Sequence, residues 1–231
     1  MDYMLEVIAY NIDCCIAIEK AGAERIELCS NLAEGGTTPS YGLIKHARTL
    51  VTTELFPMIR PRGGDFVYSP LEFEVMKTDI MFCRDAGCDG IVTGILTPDG
   101  KVDKEKMKIL AELASPLGIT FHRAFDRSAD PFQALEDIIE CGCERILTSG
   151  QNSNASAGSE MIRQLVEKSG DRIIIMPGGG VRSNNLEILM QQTGAEEFHT
   201  SALRARIDPG NAMIDENELA LMMEIIRKKN G

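Results

Sequence analysis

Residues 21–30 read AGAERIELCS, and the same form returns as AGCDGIVTGI at 86–95, CGCERILTSG at 141–150 and TGAEEFHTSA at 193–202. Each is a small residue, Gly, a small residue and an acid, followed by a short apolar run that closes on small or polar residues. Glycine in that place ends a helix in left-handed backbone, and the apolar run has the length of a buried strand. Counted from Ala23 to Cys88, Cys143 and Ala195, the intervals are 65, 55 and 52 residues. Each interval is too long for one strand–helix unit and suits two.

Four more strand candidates fall between these: LEVIAY (5–10), ELFPMIRP (54–61), GITFHRAF (118–125) and RIIIMPGG (172–179). Helical patterns fill the gaps. Ser69-Pro70-Leu71-Glu72 and Asp130-Pro131-Phe132-Gln133 read as capping boxes with proline at the first helical position. Asp103 and Ser183 read as simpler caps. Eight strands alternating with eight helices predict an α/β fold, a single-domain (β/α)8 TIM barrel spanning residues 1–231. The tail from about 203 to 231 lies outside the eight-strand repeat and carries a last helix at 215–229. A doubly wound open sheet is the rival, but a two-unit repeat favours closure.

Composition narrows the function. With 24 Lys+Arg against 35 Asp+Glu, the net charge of −11 argues against nucleic acid or an anionic membrane as main partner. The opening MDYMLEVIAYNIDCC has acids where a secretory signal has basic residues, and no apolar run nears the roughly 20 residues of a membrane span. Seven scattered cysteines suit a reduced, cytoplasmic setting.

In such barrels the chemistry gathers at the C-terminal ends of the strands. Alternation sends Ile26 and Leu28 toward the helices, which leaves Glu27 and Cys29 facing the axis. The same rule points Glu6, Met58, Arg60, His122, Glu197 and His199 inward. Glu6, near the start of its strand, reads as a structural ion-pair partner, and Glu27 with Arg60 could form a buried salt bridge. Cys14 and Cys15 point about 100° apart on a helix. Cys83, Cys88, Cys141 and Cys143 flank turns on the far face and read as packing, and His46 as helix surface. No cluster has metal-ligand spacing. In MPGGGVRSNN (176–185), Gly178, Gly179 and Gly180 lead toward a helix start, an arrangement of backbone donors suited to an anion, with Ser201 placed to help. SGQNSNASAGS (149–159) reads as a mobile loop.

RIELCSNLAEGGTTPSYG, MIRPRGGDFVYS, TFHRAFD, ERILTSG, IMPGGGVRSNNL and EFHTSA, in this order, resemble the CutC family of copper homeostasis proteins. The resemblance covers nearly the whole chain. It implies a TIM barrel, a cytoplasmic, self-associating protein and a role in copper handling, with copper chemistry at the position of Cys29. Cu(I) takes soft sulfur ligands, so Cys29, Met58 and Met176 are the candidate donors. The same strings hold Arg60, Arg62, Asp65, His122, Arg123 and Asp126, residues suited to an anionic organic substrate. The alternative is therefore a TIM-barrel enzyme acting on a small phosphorylated or carboxylated molecule. Gly178–Gly180 and Ser201 would hold the anion, with Arg123 among the anion-binding residues, Arg60 and Arg62 would clamp a second polar group, and Glu27, His122 and His199 would supply acid–base catalysis. No organic cofactor is evident. The Met-rich ALMMEII (220–226) offers a surface for self-association.

Overall fold

A computed structural model of the chain describes residues 2–204 and 212–231. Eight strands alternate with eight helices: β1 Met4–Ala9, α1 Ile12–Ala21, β2 Arg25–Leu28, α2 Tyr41–Leu50, β3 Glu54–Pro57, α3 Pro70–Asp85, β4 Gly90–Thr93 and α4 Lys104–Ala114. They continue with β5 Gly118–Phe121, α5 Pro131–Glu140, β6 Arg145–Thr148, α6 Ser159–Ser169, β7 Ile174–Pro177, α7 Leu186–Thr193, β8 Glu197–Thr200 and α8 Glu216–Asn230. All ladders are parallel, in the orders β3-β2-β1-β8 and β4-β5-β6-β7. The halves meet where Ile59 N–H donates to Val92 O (2.7 Å) and where β7 packs beside β8.

The repeated motif has a physical cause. Gly22, Gly87 and Gly142 take φ of 81°, 79° and 80°. In each case the glycine N–H and the next N–H bond back into the helix: Gly22 to Glu19 and Ala23 to Ile18, Gly87 to Arg84 and Cys88 to Cys83, Gly142 to Ile139 and Cys143 to Ile138. This is a Schellman end, whose first and last residues pack against each other. It explains the small residue after each glycine and the burial of Cys88 and Cys143. The fourth copy departs, with Gly194 making a single bond to Met190 O.

Strand residues facing out, such as Ile26, Leu28, Ile91, Ile146 and Phe198, join the helices in one core. Facing in, Ile8, Cys29, Phe56, Met58 and Val92 form a smaller cluster inside the barrel. Helix starts mostly follow the sequence. Ser69 and Glu72 form a full capping box, and Asp103 caps α4. Asp130 caps α5, but Gln133 turns to Asp137, so the expected reciprocal box is absent. Ser183 does not cap α7: its Oγ donates to Glu218 and the helix begins at Leu186.

Three further expectations change. GITFHRAF stops being strand at Phe121, where His122 caps a 3-10 turn over Arg123–Arg127. The 149–159 loop is anchored, with Ala155 fully buried and its N–H on Gly179 O. Met222 and Met223 of the Met-rich string are spent on the core, leaving Leu221 exposed. Of the tail, α8 packs on α1, α7 and β1, while residues 205–211 lie outside the described set. Among the described residues no helix is long and apolar enough to cross a membrane.

Candidate functional site

Two charged layers stack inside the barrel. Toward the N-terminal strand ends, Glu197 Oε2 accepts from Arg25 Nη1 and Arg145 Nε, both at 2.7 Å. Arg25 also bonds Glu54 at 3.0 Å, and the Phe56 ring lies near both guanidinium groups, 5.0 Å from Arg25 and 5.5 Å from Arg145. The sequence reading missed both arginines, although alternation holds the signal: Arg25 and Arg145 stand two residues before the inward Glu27 and Leu147.

One layer up, register sets Glu6 of β1 beside His199 of β8, and Ile8 beside Glu27 of β2. His199 Nδ1 lies 2.7 Å from Glu6 Oε1, and its Nε2 lies 3.8 Å from Glu27 Oε2. Glu6 Oε2 is 3.6 Å from Arg25, so Glu6 is the ion-pair partner the sequence suggested. All three side chains are buried. Burial alone would raise the Glu6 carboxyl, but the His199 hydrogen bond and charge, with Arg25 and Arg145, bring it below its usual value. Burial works against His199 too, and is outweighed by Glu27 and Glu6, which hold the imidazole up. Glu27 is pushed up to about 7 by burial, with Glu6 adding to the rise.

Above this layer opens a cavity of about 200 Å3 at the C-terminal ends of the strands. Glu27, Met58, Arg60, His122, Arg123, Gly179, Gly180, His199 and Ser201 all line it, so most of the expected site is brought together. Arg60 forms no salt bridge with Glu27. Its Nη1 donates to Glu34 O (2.7 Å) and Gly36 O (2.9 Å), its Nη2 to Gly64 O (3.0 Å), and the group lies 4.9 Å from the Phe66 ring. Its buried Nε has no partner.

His122 is held by its own backbone turn: Nδ1 accepts from Ala124 N–H at 3.2 Å. That leaves the proton on Nε2, which is buried without a partner. Burial, then the Arg60 charge, lowers the His122 pKa to about 3, so the ring is neutral. Arg123 is aimed by Asp126 (2.8 Å) and Ser149 Oγ (2.8 Å). Asp126 also accepts from the Ser149 and Gln151 N–H groups, tying the loops after β5 and β6 together.

The remaining expected residues lie elsewhere. Arg62 is engaged by Asp65 and Glu72 and stacks over Tyr68, away from the cavity. Gly178 offers no free donor, because its N–H bonds Thr148 O. Its lack of a side chain serves packing, as a Cβ there would stand 2.3 Å from Leu147 Cδ1. Gly179 and Gly180, at φ 89° and 78°, keep N–H groups without partners among the described residues. Because α7 starts only at Leu186, its first turn does not supply donors next to the glycines. Arg182, another residue the sequence reading passed over, donates to Thr200 Oγ1 and Ser201 Oγ and fixes the loop after β8.

The soft donors divide. Cys29 and Met58 share the inner cluster, and the Gly36 backbone covers both: a Cβ there would be 3.1 Å from Cys29 Sγ and 3.6 Å from Met58 Cε. Met176, though buried, belongs to neither the inner cluster nor the cavity lining. Burial and the neighbouring Glu27 carboxylate keep Cys29 a thiol. Among the described residues, the one cluster with ligand atoms in mutual range is Glu6, Glu27 and His199, within 4.8 Å of one another. That oxygen and nitrogen set suits a harder divalent ion better than Cu(I).

Eight parallel strands with a cavity at their C-terminal ends define a TIM barrel with its site at the mouth. The model of the CutC family matches residues 3–204, and the chain belongs to that family. It is 50% identical over 202 residues to a family protein CutC of Chromobacterium violaceum, covering 87% of this chain and 82% of that one. It is 48% identical over 204 residues to the human copper homeostasis protein cutC homolog, covering 88% and 75% respectively. A solved CutC structure from Streptococcus agalactiae superposes with a TM-score of 0.82 at 37% identity, covering 85% of this chain and 97% of that one.

Proposed function

We propose that this protein serves copper homeostasis, the role its human and mouse relatives are named for, by holding Cu(I) between Cys29 and Met58. The observation that carries this reading is a thiol and a thioether in one buried cluster beneath Gly36, with Met58 also lining the mouth cavity. Sulfur donors of both kinds are the ligands Cu(I) prefers. The Glu27 carboxylate beside Cys29 can accept the thiol proton when the ion binds, so uptake needs no charged thiolate waiting in the core. Met176 is left out of the donor set. All seven cysteines are free thiols, which supports a reducing, cytoplasmic setting. Self-association remains part of the proposal, on the family's account, and light scattering at micromolar concentration checks it.

The test is Cu(I) competition against a chromophoric chelator under anaerobic, reducing conditions. One ion should bind per chain, and Cys29→Ser should weaken binding at least about 100-fold, or about 2.7 kcal/mol. Cys143→Ser, buried at the far end of the barrel, should bind as the parent does. Equal losses from the two substitutions would reduce the binding to general thiol affinity and end this reading.

A further inference from the structure

The copper reading uses two sulfur atoms and leaves most of the mouth unexplained. Nothing in it requires a neutral imidazole whose one N–H points at no partner. Nor does it require a buried guanidinium with no carboxylate beside it, or two backbone N–H groups left open on a glycine turn. These groups line one cavity.

Their chemistry divides the cavity into two ends. At the first, Gly179 and Gly180 present unpaired N–H groups, and Arg123 brings its guanidinium alongside, its Nη1 being 3.3 Å from where a Gly179 Cβ would stand. Two of the three Arg123 nitrogens are bonded, to Asp126 and Ser149, and Nη1 is the one without a partner among the described residues. Ser201, itself held by Arg182, completes this wall. Open backbone donors beside an oriented guanidinium suit phosphate or carboxylate. At the second end, His122 Nε2–H and Arg60 Nε are buried donors with nothing to donate to. A neutral imidazole N–H in a closed site holds a carbonyl oxygen and stabilises the charge that develops on it. Glu27 lines the same cavity and has one buried oxygen, Oε1, without a hydrogen-bond partner.

We propose that this cavity binds a small carbonyl compound carrying a phosphate or carboxylate and moves a proton at the carbon next to the carbonyl. Gly179, Gly180 and Arg123 hold the anionic group, His122 and Arg60 hold the carbonyl oxygen, and Glu27 takes the proton. The C–H bond breaks as the Glu27 O–H bond forms, and the electron pair passes to the carbonyl oxygen as an enolate. Once the Glu27 proton has exchanged with solvent, its delivery to the same carbon gives hydrogen exchange. Where that carbon bears a hydroxyl, its O–H proton passes to the former carbonyl oxygen, and protonation at the former carbonyl carbon gives an isomer. The step is redox-neutral and needs no co-reactant. Tyr10 and Phe66 add aromatic walls to the cavity.

The experiment is deuterium incorporation in D2O, followed by proton NMR, using the whole protein with dihydroxyacetone phosphate, pyruvate and the neutral hydroxyacetone as probes. At least one anionic probe should exchange at the carbon next to its carbonyl well above the protein-free blank, and faster than hydroxyacetone. Glu27→Gln should slow exchange about 10²–10⁴-fold. His122→Phe should slow it about 10²-fold, and His122→Gln, which keeps a donor, should recover part of the loss. Gly179→Val lies on a loop outside the core and should bring the anionic probe down to the rate of the neutral one. Near-ultraviolet circular dichroism verifies that each variant is folded. Exchange at the blank rate with every probe overturns the proposal, as does exchange that survives both Glu27→Gln and His122→Phe. Neither result touches Cu(I) binding, which is read separately by chelator competition.

Discussion

His199 Nδ1 sits 2.7 Å from Glu6 Oε1, and the same ring presents Nε2 to Glu27 at 3.8 Å. One imidazole thus joins two carboxyl groups whose pKa values move in opposite directions, Glu6 down and Glu27 up.

That opposition sets how stability depends on pH. Glu27, raised to about 7, binds its proton more tightly folded than unfolded, so its ionisation costs stability as pH rises from about 4.5 through 7. Glu6 is lowered, and its contribution is present above its unfolded value and lost as pH falls through the folded one. His199 is raised, and its contribution is complete below about 6.5 and lost as pH climbs through the folded value. Glu27→Gln should therefore stabilise the protein at pH 8 by about 1–3 kcal/mol and have little effect at pH 4.5. Urea melts at the two pH values check this.

His122 should stay neutral with its proton on Nε2 through the whole range in which the protein is folded, because its pKa lies near 3. Nitrogen-15 NMR of the imidazoles should show one ring with an unprotonated Nδ1 that does not titrate between pH 5 and 8. A His122 signal that moves in this interval would mean that the Ala124 bond does not fix the tautomer.

Glu197 is the shared acceptor of two buried arginines, so its loss should be felt more than that of an ordinary ion pair. Glu197→Ala leaves Arg25 and Arg145 facing each other around Phe56 and should cost about 3–5 kcal/mol. Denaturant midpoints read the effect. A cost under about 1 kcal/mol would show that Glu6 and Glu54 beside Arg25, with Glu144 at 3.2 Å from Arg145 Nη1, suffice to neutralise the pair.

Gly90→Ala should destabilise by about 1–3 kcal/mol. An added Cβ would stand 2.1 Å from the Phe56 ring, and that ring sits between two guanidinium groups and has no easy way to move. Gly142→Ala makes a useful contrast. Its Cβ meets open space, so any cost there comes from the left-handed backbone at φ 80° alone.

Legibility in the sequence followed the strength of local constraints. The helix–turn–strand repeat was readable because Gly22, Gly87 and Gly142 terminate helices in the same hydrogen-bonded way, and their neighbours must be small. Alternation correctly turned Glu27 and His199 toward one cavity, since each short strand has one face against helices, while His122 reaches it from the turn just past β5. It could not say which partner each would find. Arg60 could have met Glu27 or faced a ligand, and its guanidinium went to the carbonyls of its own and the preceding loop, because loop paths are not encoded in strand periodicity. Arg62 failed as a cavity residue for the same reason: Asp65 and Glu72 capture it locally. Gly178 looked like its two neighbours in sequence, and only the closeness of Leu147 separates its role from theirs.

The strand orders β3-β2-β1-β8 and β4-β5-β6-β7 also bear on how the chain comes into being. The second sheet is drawn from one continuous stretch, residues 90–177, whereas the first waits for β8, which begins 140 residues after β3 ends at Pro57. A ribosome therefore releases all of one sheet while the other still lacks an edge. Until β8 arrives, β1 lacks one of its two strand neighbours and Glu6 lacks the imidazole it meets in the finished barrel. The last strand to be made is thus the one that closes this sheet and brings Glu6 a second charged partner beside Arg25.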